Sequence, residues 1–179
     1  HEAYARLSLA YAELLRGRID AANATDQQSS VMRLGSMVTC YLLRQKGLDA
    51  VLQMTCRDRN RLALQSDLLS AWVLGIKNVL ALTGDLPALG DHPQAIGVYD
   101  LDSVQLLWVI DQLNKGHDMV GNELKGKTDF LAGAVVNPGA NTEAGFELQI
   151  VKMEKKINAG AKFFQTQAIY EPARFAEFM

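Results

Sequence analysis

Residues 47–85 read GLDAVLQMTCRDRNRLALQSDLLSAWVLGIKNVLALTGD, and their pattern decides the fold class. An apolar run without alternation, Ala50 to Met54, precedes a stripe at helical spacing (Leu64, Leu68, Ala71). Gly75 follows, and then a second apolar run, Asn78 to Leu82. Strands that are apolar without alternation are buried on both faces, as parallel strands between other layers are. A glycine behind a helical stripe supplies the left-handed residue that closes a helix. The stretch is therefore a strand–helix–strand unit with a parallel crossover.

Working outward, the unit recurs. Further strand-length runs are Ile19 to Ala24, Phe130 to Val136 and Lys162 to Gln165. Further helical stripes are Tyr4/Leu7/Tyr11/Leu14, Val31/Leu34/Val38/Leu42, Leu106/Val109/Ile110/Leu113 and Phe146/Ile150/Met153/Ile157, each expected to face the core. Gly17, Gly47, Gly116 and Gly160 precede strands in the same manner as Gly75. The interval between the third and fourth strands is longer, the surplus being LPALGDHPQAIGVYD at 86–100, a length that marks a functional or mobile loop. Alternating units of this kind build either an open doubly wound sheet or a closed eight-stranded barrel. Both bind ligands at the C-terminal ends of the strands. No G-x-G-x-x-G follows any strand, which weakens a dinucleotide-binding fold.

Composition excludes several classes of function. The chain has 179 residues, 49% hydrophobic and 21% charged, with 18 basic against 20 acidic side chains. That describes a globular protein with no excess base for a nucleic acid. No apolar run approaches the ~20 residues that span a bilayer, and the N-terminal segment carries no signal-peptide pattern. A cytoplasmic protein with neither nucleic acid nor membrane as partner is expected, a single domain over residues 1–179. Cys40 and Cys56 form no C-x-x-C, and His1, His92 and His117 lack ligand spacing, so no metal site is expected. Neither cysteine has a base beside it in sequence, and no G-x-S-x-G is present.

The strands end alike, in Thr25-Asp26-Gln27-Gln28, Gln53-Met54-Thr55-Cys56-Arg57-Asp58, Thr83-Gly84-Asp85, Asn137-Pro138 and Gln165-Thr166-Gln167. Such residues also serve as turn formers and helix caps. Their recurrence at five strand ends predicts one shared rim of amides, hydroxyls and a few carboxylates, suited to a flat ligand rich in heteroatoms. The run Arg57-Asp58-Arg59-Asn60-Arg61 either pairs internally or draws an anionic ligand. Lys152, Lys155 and Lys156 share a helix face, which is either solvated or turned to a phosphate.

The runs QMTCRDRNRLALQSDLLSAWVLGIKNVLALTGD (53–85), DHPQA (91–95) and NAGAKFFQTQAIYEPARF (158–175) resemble the methylenetetrahydrofolate reductase family, in particular the branch with C-R-D-R-N found in acetogens and various other bacteria. The likeness extends from Gly17 to Met179. It implies an α/β fold, a (β/α)8 TIM barrel, of which about five of the eight βα units are present. It implies a flavin, FAD or alternatively FMN, at the C-terminal strand ends. The implied reaction is reduction of 5,10-methylenetetrahydrofolate to 5-methyltetrahydrofolate, with NAD(P)H or another donor supplying electrons.

Carried onto this chain, the resemblance places Thr25 and Gln53 on the isoalloxazine or ribityl chain and Asp85 by the flavin pyrimidine edge and the folate. Gln167 would lie on pterin or flavin, Lys155 and Lys156 near the flavin phosphates, and Asn137 beside the cofactor. Asp85 and Gln167 are the expected catalytic pair. Thr83 stands where many relatives have arginine, Asn137 where some have tyrosine, and Gln53 where many have histidine. The family's general acid, a glutamate ending the first barrel strand, has no counterpart here. A chain of this extent is expected to bind flavin poorly unless self-association or a partner subunit closes its edges. A non-catalytic reductase-like subunit and a pterin-dependent methyltransferase barrel are the alternative readings.

Overall fold

The computed structural model describes residues 2–140 and 142–179. Helices and strands alternate as α1 (Glu2–Leu15), β1 (Ala21–Ala24), α2 (Ser36–Gln45), β2 (Asp49–Thr55), α3 (Arg61–Val73), β3 (Asn78–Leu82), α4 (Ser103–Lys115), β4 (Leu131–Val136), α5 (Glu143–Asn158), β5 (Phe163–Thr166) and α6 (Pro172–Phe178). Every expected strand is present within two residues of its expected bounds. Each strand pairs in parallel with its neighbour in the chain, giving the order β1-β2-β3-β4-β5. A doubly wound sheet reverses its strand order at a switch point. This sheet never reverses, so of the two architectures it is the arc of a barrel, a curled half with helices along its outside.

Strand alternation sorts the two faces. Leu52, Met54, Val79, Ala81, Ala132 and Ala134 turn outward and pack with Leu64 and Leu68 of α3 and Leu106 and Ile110 of α4 in one buried core. The residues between them, Gln53, Thr55, Leu80, Leu82 and Val135, line the concave side. Below that layer on the same face, Gly133 receives the ring of Phe163, to which it is paired in register. A Cβ at Gly133 would lie 2.2 Å from the Phe163 Cζ. Gly133→Ala is therefore expected to cost about 1–3 kcal/mol by overpacking, read as a lower urea midpoint with an unchanged m-value.

The helices begin where side chains can take up free amides. Asn60 caps α3 by accepting from Leu62 N and Ala63 N at 3.1 and 3.0 Å. Asp102 and Gln105 form a reciprocal capping box on α4, which ends at Gly116 with φ 87°. The stripes predicted for α3 and α4 are the buried ones.

Two other stripes turn differently. In α1, Tyr4, Leu7, Tyr11 and Leu14 are 45–58% exposed and only Ala12 is buried. This helix leans on α2 beside the short edge strand β1; Tyr4 borders a cavity with Asn23 and Ala24 of β1, and Leu15, outside the stripe, packs on the core. The helix expected from Val31 starts at Ser36 and presents Ser36, Cys40 and Leu43 to the core instead. Its expected first turn is held extended because the Asp91 carboxylate accepts from Met32 N at 3.1 and 3.2 Å. In α5, Phe146 of the expected stripe is buried while Ile150 and Ile157 are exposed.

Candidate functional site

The C-terminal ends of all five strands open on one cavity of about 480 Å³. Its base is apolar, made by Leu80, Leu82 and Val135, and its walls are polar. β1 sends Thr25 and the following loop, β2 sends Gln53, Thr55 and Arg57, β3 sends Thr83 and Asp85, and β5 sends Gln165, Thr166 and Gln167. Five of the eight residues singled out from the sequence therefore meet here: Thr25, Gln53, Thr83, Asp85 and Gln167.

The Thr83-Gly84-Asp85 turn explains its own sequence. Gly84 has φ +96°, and a Cβ there would stand 2.9 Å from the Arg57 Cβ and 3.2 Å from the Thr55 Cβ. Only glycine lets the chain pass this close to β2 and aim residues on both sides of the turn at the cavity. The Asp85 carbonyl is fixed by the hydroxyls of Ser30 at 3.1 Å and Tyr99 at 2.8 Å. Its carboxylate is exposed to the cavity, with no ion pair among the described residues. Burial pushes the Tyr99 phenol pKa upward; Arg57 opposes this, and the Asp58 and Asp85 carboxylates reinforce it.

The basic run after β2 pairs internally, which settles the two readings left open by the sequence. Arg57 is 3% exposed and grips Asp58 through Nε and Nη2 at 2.9 and 2.7 Å. That hydrogen bond raises the Arg57 pKa above its ordinary value. Arg57 also reaches Ser30 Oγ at 3.0 Å, and its carbonyl accepts from Val98 N at 2.7 Å. One buried arginine thus ties the loop after β1 to the long loop at 86–100. Arg59 lies between Asp26 at 2.7 Å and Asp67 at 2.9 Å. Burial works against its charge, and the two carboxylates more than offset this.

Arg61 makes three 2.8 Å bonds to Asp100. They hold the Asp100 carboxyl at about 2, below the ordinary 3.8. The unfolded chain binds this proton at higher pH than the folded one does. The pair's stabilisation is therefore complete above about pH 4 and is lost as the pH falls toward 2. Asp100→Asn is expected to flatten that part of the acid-unfolding profile, followed by circular dichroism.

With both neighbouring arginines paired, Asp85 is the uncompensated charge of the cavity. Asp26, next to Thr25, is buried and accepts from Thr55 N at 2.9 Å, Thr55 Oγ1 at 3.0 Å and Arg59. Asp26 organises the wall rather than facing a ligand.

Three expected residues lie elsewhere. Asn137 borders a second cavity of about 430 Å³, with Pro138, Tyr170 and Arg174. Its Oδ1 accepts from Gly139 N at 3.1 Å, so this side chain shapes a turn. Lys155 is exposed on α5. Lys156 is half-buried and donates to the Val135 carbonyl at 2.6 Å. Burial, and then Lys152, lower its pKa while Asp102 raises it. Both cysteines are buried, and burial pushes each thiol up to about 12, so neither is a nucleophile at neutral pH.

Gln165 was named from the sequence among the strand tips of the shared rim, without a role of its own, and it does line the cavity. A glutamine two residues before Gln167 in an apolar strand shares that residue's face by period-two alternation. Among the described residues no cluster of three or more His, Cys, Asp or Glu forms a metal site, and no helix is long and apolar enough to cross a membrane.

Parallel strands in sequential order, helices outside and one polar cavity at the C-terminal rim define a barrel-type α/β protein with its site where such folds keep theirs. The family model described as methylenetetrahydrofolate reductase matches residues 14–179. The chain belongs to the methylenetetrahydrofolate reductase family.

A probable methylenetetrahydrofolate reductase (NADPH) of Caenorhabditis elegans is 27% identical over 161 residues, 89% of this chain and 21% of the relative. A 5,10-methylenetetrahydrofolate reductase of Pectobacterium carotovorum is 29% identical over 133 residues, 74% of this chain and 38% of the relative. The chain thus spans well under half the length of these curated relatives. Among solved structures, a protein from Clostridium thermocellum described as binding two copies of 5-methyl-5,6,7,8-tetrahydrofolic acid superposes with TM-score 0.63 at 17% identity, covering 99% of this chain and 52% of that one. A 2,3-dimethylmalate lyase superposes with TM-score 0.60 at 11% identity, covering 96% and 57%. At these identities the likeness is one of fold.

Proposed function

We propose that this chain carries a flavin- and folate-facing wall of a cytoplasmic reductase that converts 5,10-methylenetetrahydrofolate to 5-methyltetrahydrofolate. The observation that supports it most is the convergence of polar tips from separate strands on one apolar-based cavity beside an uncompensated Asp85. The residues present fit a flavin ring. Leu80, Leu82 and Val135 offer a flat apolar bed, and the Gln53, Gln165 and Gln167 carboxamides offer donors and acceptors at its edge. Gln165 Oε1 is buried with no donor of its own. FAD is the proposed cofactor, with FMN as the alternative, and NAD(P)H the proposed donor; bound flavin would supply the hydride chemistry.

The protein's own part is placement and electrostatics. Thr25 and Gln53 would orient the cofactor ring, and Gln167 would hydrogen-bond the pterin. Asp85 would hold a negative charge where the folate becomes cationic. Thr83 Oγ1 already accepts from Ser103 N at 3.2 Å, which fixes the turn preceding Asp85. Phosphate binding by Lys156 requires release of its bond to the Val135 carbonyl.

Titration of FAD with the purified protein tests the proposal. Saturable quenching of flavin fluorescence, relieved or altered by 5-methyltetrahydrofolate, is expected. A protein that retains neither flavin nor folate at micromolar concentrations would sink it.

A further inference from the structure

The loop at 86–100 runs from the β3 tip toward α4 without lining the strand-end cavity. Burial does not hold it, since its Leu89 and Ile96 side chains are 72% and 92% exposed. Two pins do. Val98 N donates to the Arg57 carbonyl at 2.7 Å, and the Asp100 carboxylate accepts from Arg61 at 2.8 Å. Between these pins Tyr99 is held at φ 43°, a left-handed conformation that a bulky residue rarely adopts. Its ring folds back on Gly97, where there is no room for a Cβ, and its hydroxyl donates to the Asp85 carbonyl at 2.8 Å.

The same carbonyl oxygen has a second donor. The Ser30 hydroxyl accepts from Arg57 Nη1 at 3.0 Å and shares its one proton between the Asp85 and Leu86 carbonyls, each at 3.1 Å. Ser30 is also left-handed, at φ 56°, behind Gln27 at 50° and Ser29 at 57°. These three and Tyr99 are the non-glycine residues of positive φ among the described residues. Such conformations cost free energy and persist only where the surroundings over-determine them, which is common at functional sites. Here two loops carry that strain, and a hydroxyl from each ends on one oxygen. Asp85 has little else to hold it. Gly84 precedes it without a side chain, Leu86 after it is 62% exposed, and its carboxylate makes no hydrogen bond among the described residues.

We propose that Tyr99 is a positioning residue and the 86–100 loop a strap: the Tyr99 hydroxyl, with that of Ser30, fixes the Asp85 backbone so that its carboxylate stands in one place beside the bound heterocycle. The inference rests on the role given to Asp85 above and adds to it the residue that holds Asp85 in place. Tyr99 does not line the cavity, so it acts through Asp85. A charge fixed in advance stabilises a developing cation without reorganisation at the moment of reaction, whereas a swinging carboxylate must first be ordered.

Two measurements on Tyr99→Phe test it. In the ligand-free protein, the NMR order parameter of the Asp85 amide is expected near the rigid-backbone value of about 0.85 in wild type and closer to about 0.6 in the variant. In the intact reductase loaded with FAD, 5-methyltetrahydrofolate reduces the flavin. A hydride leaves its methyl group for the flavin, the amine N10 gives up its proton as the methylene bridge closes, and bleaching of the flavin band gives the rate. Tyr99→Phe is expected to slow this step roughly tenfold beside Asp85 and to slow it no further in Asp85→Asn. Ser30→Ala follows the same pattern, with a lower urea midpoint as well, because it also takes an acceptor from Arg57. An order parameter unmoved in both variants overturns the inference without any ligand. An equal loss of rate with and without the Asp85 charge makes Tyr99 a merely structural residue and overturns it too. Asp85→Asn reacting as fast as wild type removes the role of Asp85 itself, whatever the order parameter shows, and leaves the strap nothing to position.

Discussion

Asp26→Ala is expected to lower stability by about 3 kcal/mol, the largest loss from any single side-chain truncation in the rim. Asp26 has no exposed side-chain surface and is the acceptor for Thr55 N, Thr55 Oγ1 and Arg59. Truncation strands two donors at the end of β2 and leaves a guanidinium that is three-quarters enclosed. Arg59 keeps Asp67, which holds the cost at the lower end for a broken buried pair. Asp26→Asn retains one carbonyl acceptor and is expected to cost less than alanine. Urea unfolding of the three proteins checks the order, and a midpoint unmoved by alanine would remove Asp26 as the organiser of this wall. The FAD titration should weaken in parallel with stability, since Thr25 and Thr55 both line the cavity that Asp26 holds together.

In the intact reductase proposed above, Asp85→Asn is expected to reduce methylenetetrahydrofolate turnover about a hundredfold while changing flavin affinity little. The substitution keeps shape and removes one charge. Nothing among the described residues pairs with that carboxylate, so no structural bond is lost. Its backbone carbonyl, which Ser30 and Tyr99 anchor, is untouched. A ground-state binding residue would show its loss in KM, whereas a charge that acts on the developing cation shows it in kcat. Unchanged turnover in Asp85→Asn would take this carboxylate out of the reaction.

Much of the architecture could be read from apolar runs and glycines, because a strand buried on both faces has a distinctive composition and a helix end has a distinctive residue. The choice between barrel and open sheet could not, since it depends on which strands become neighbours, and identical βα units serve both. The stripes of α3 and α4 were legible because the apolar spacing in each falls within its helix, whereas α2, which also packs on β1 and β2, starts five residues after Val31. Those of α1 and α2 were not. Periodicity marks an apolar face without saying what lies opposite it, and at Met32 a carboxylate from a loop some sixty residues away overrides the local preference. In the site, the strand-tip rule found Thr25, Gln53, Thr83, Asp85 and Gln167. It failed at Asn137, where the side chain closes on its own turn. For the lysines of α5, spacing left a solvated face and a phosphate contact both open and family likeness favoured the phosphate; their helix lies on the outer layer, with Lys156 committed to a backbone carbonyl.

The sheet's sequential order bears on how the chain acquires its shape. Every ladder joins strands that are adjacent in sequence, β1 with β2 through to β4 with β5. Each pairing closes one crossover, the longest between β3 and β4, where Asn78 meets Leu131, and the entropy of closing a loop grows only slowly with its length. Assembly can start at any adjacent pair and spread in both directions. Amide exchange in β2, β3 and β4, flanked on both sides, should then be the slowest in the sheet, and exchange should be faster in the edge strands β1 and β5.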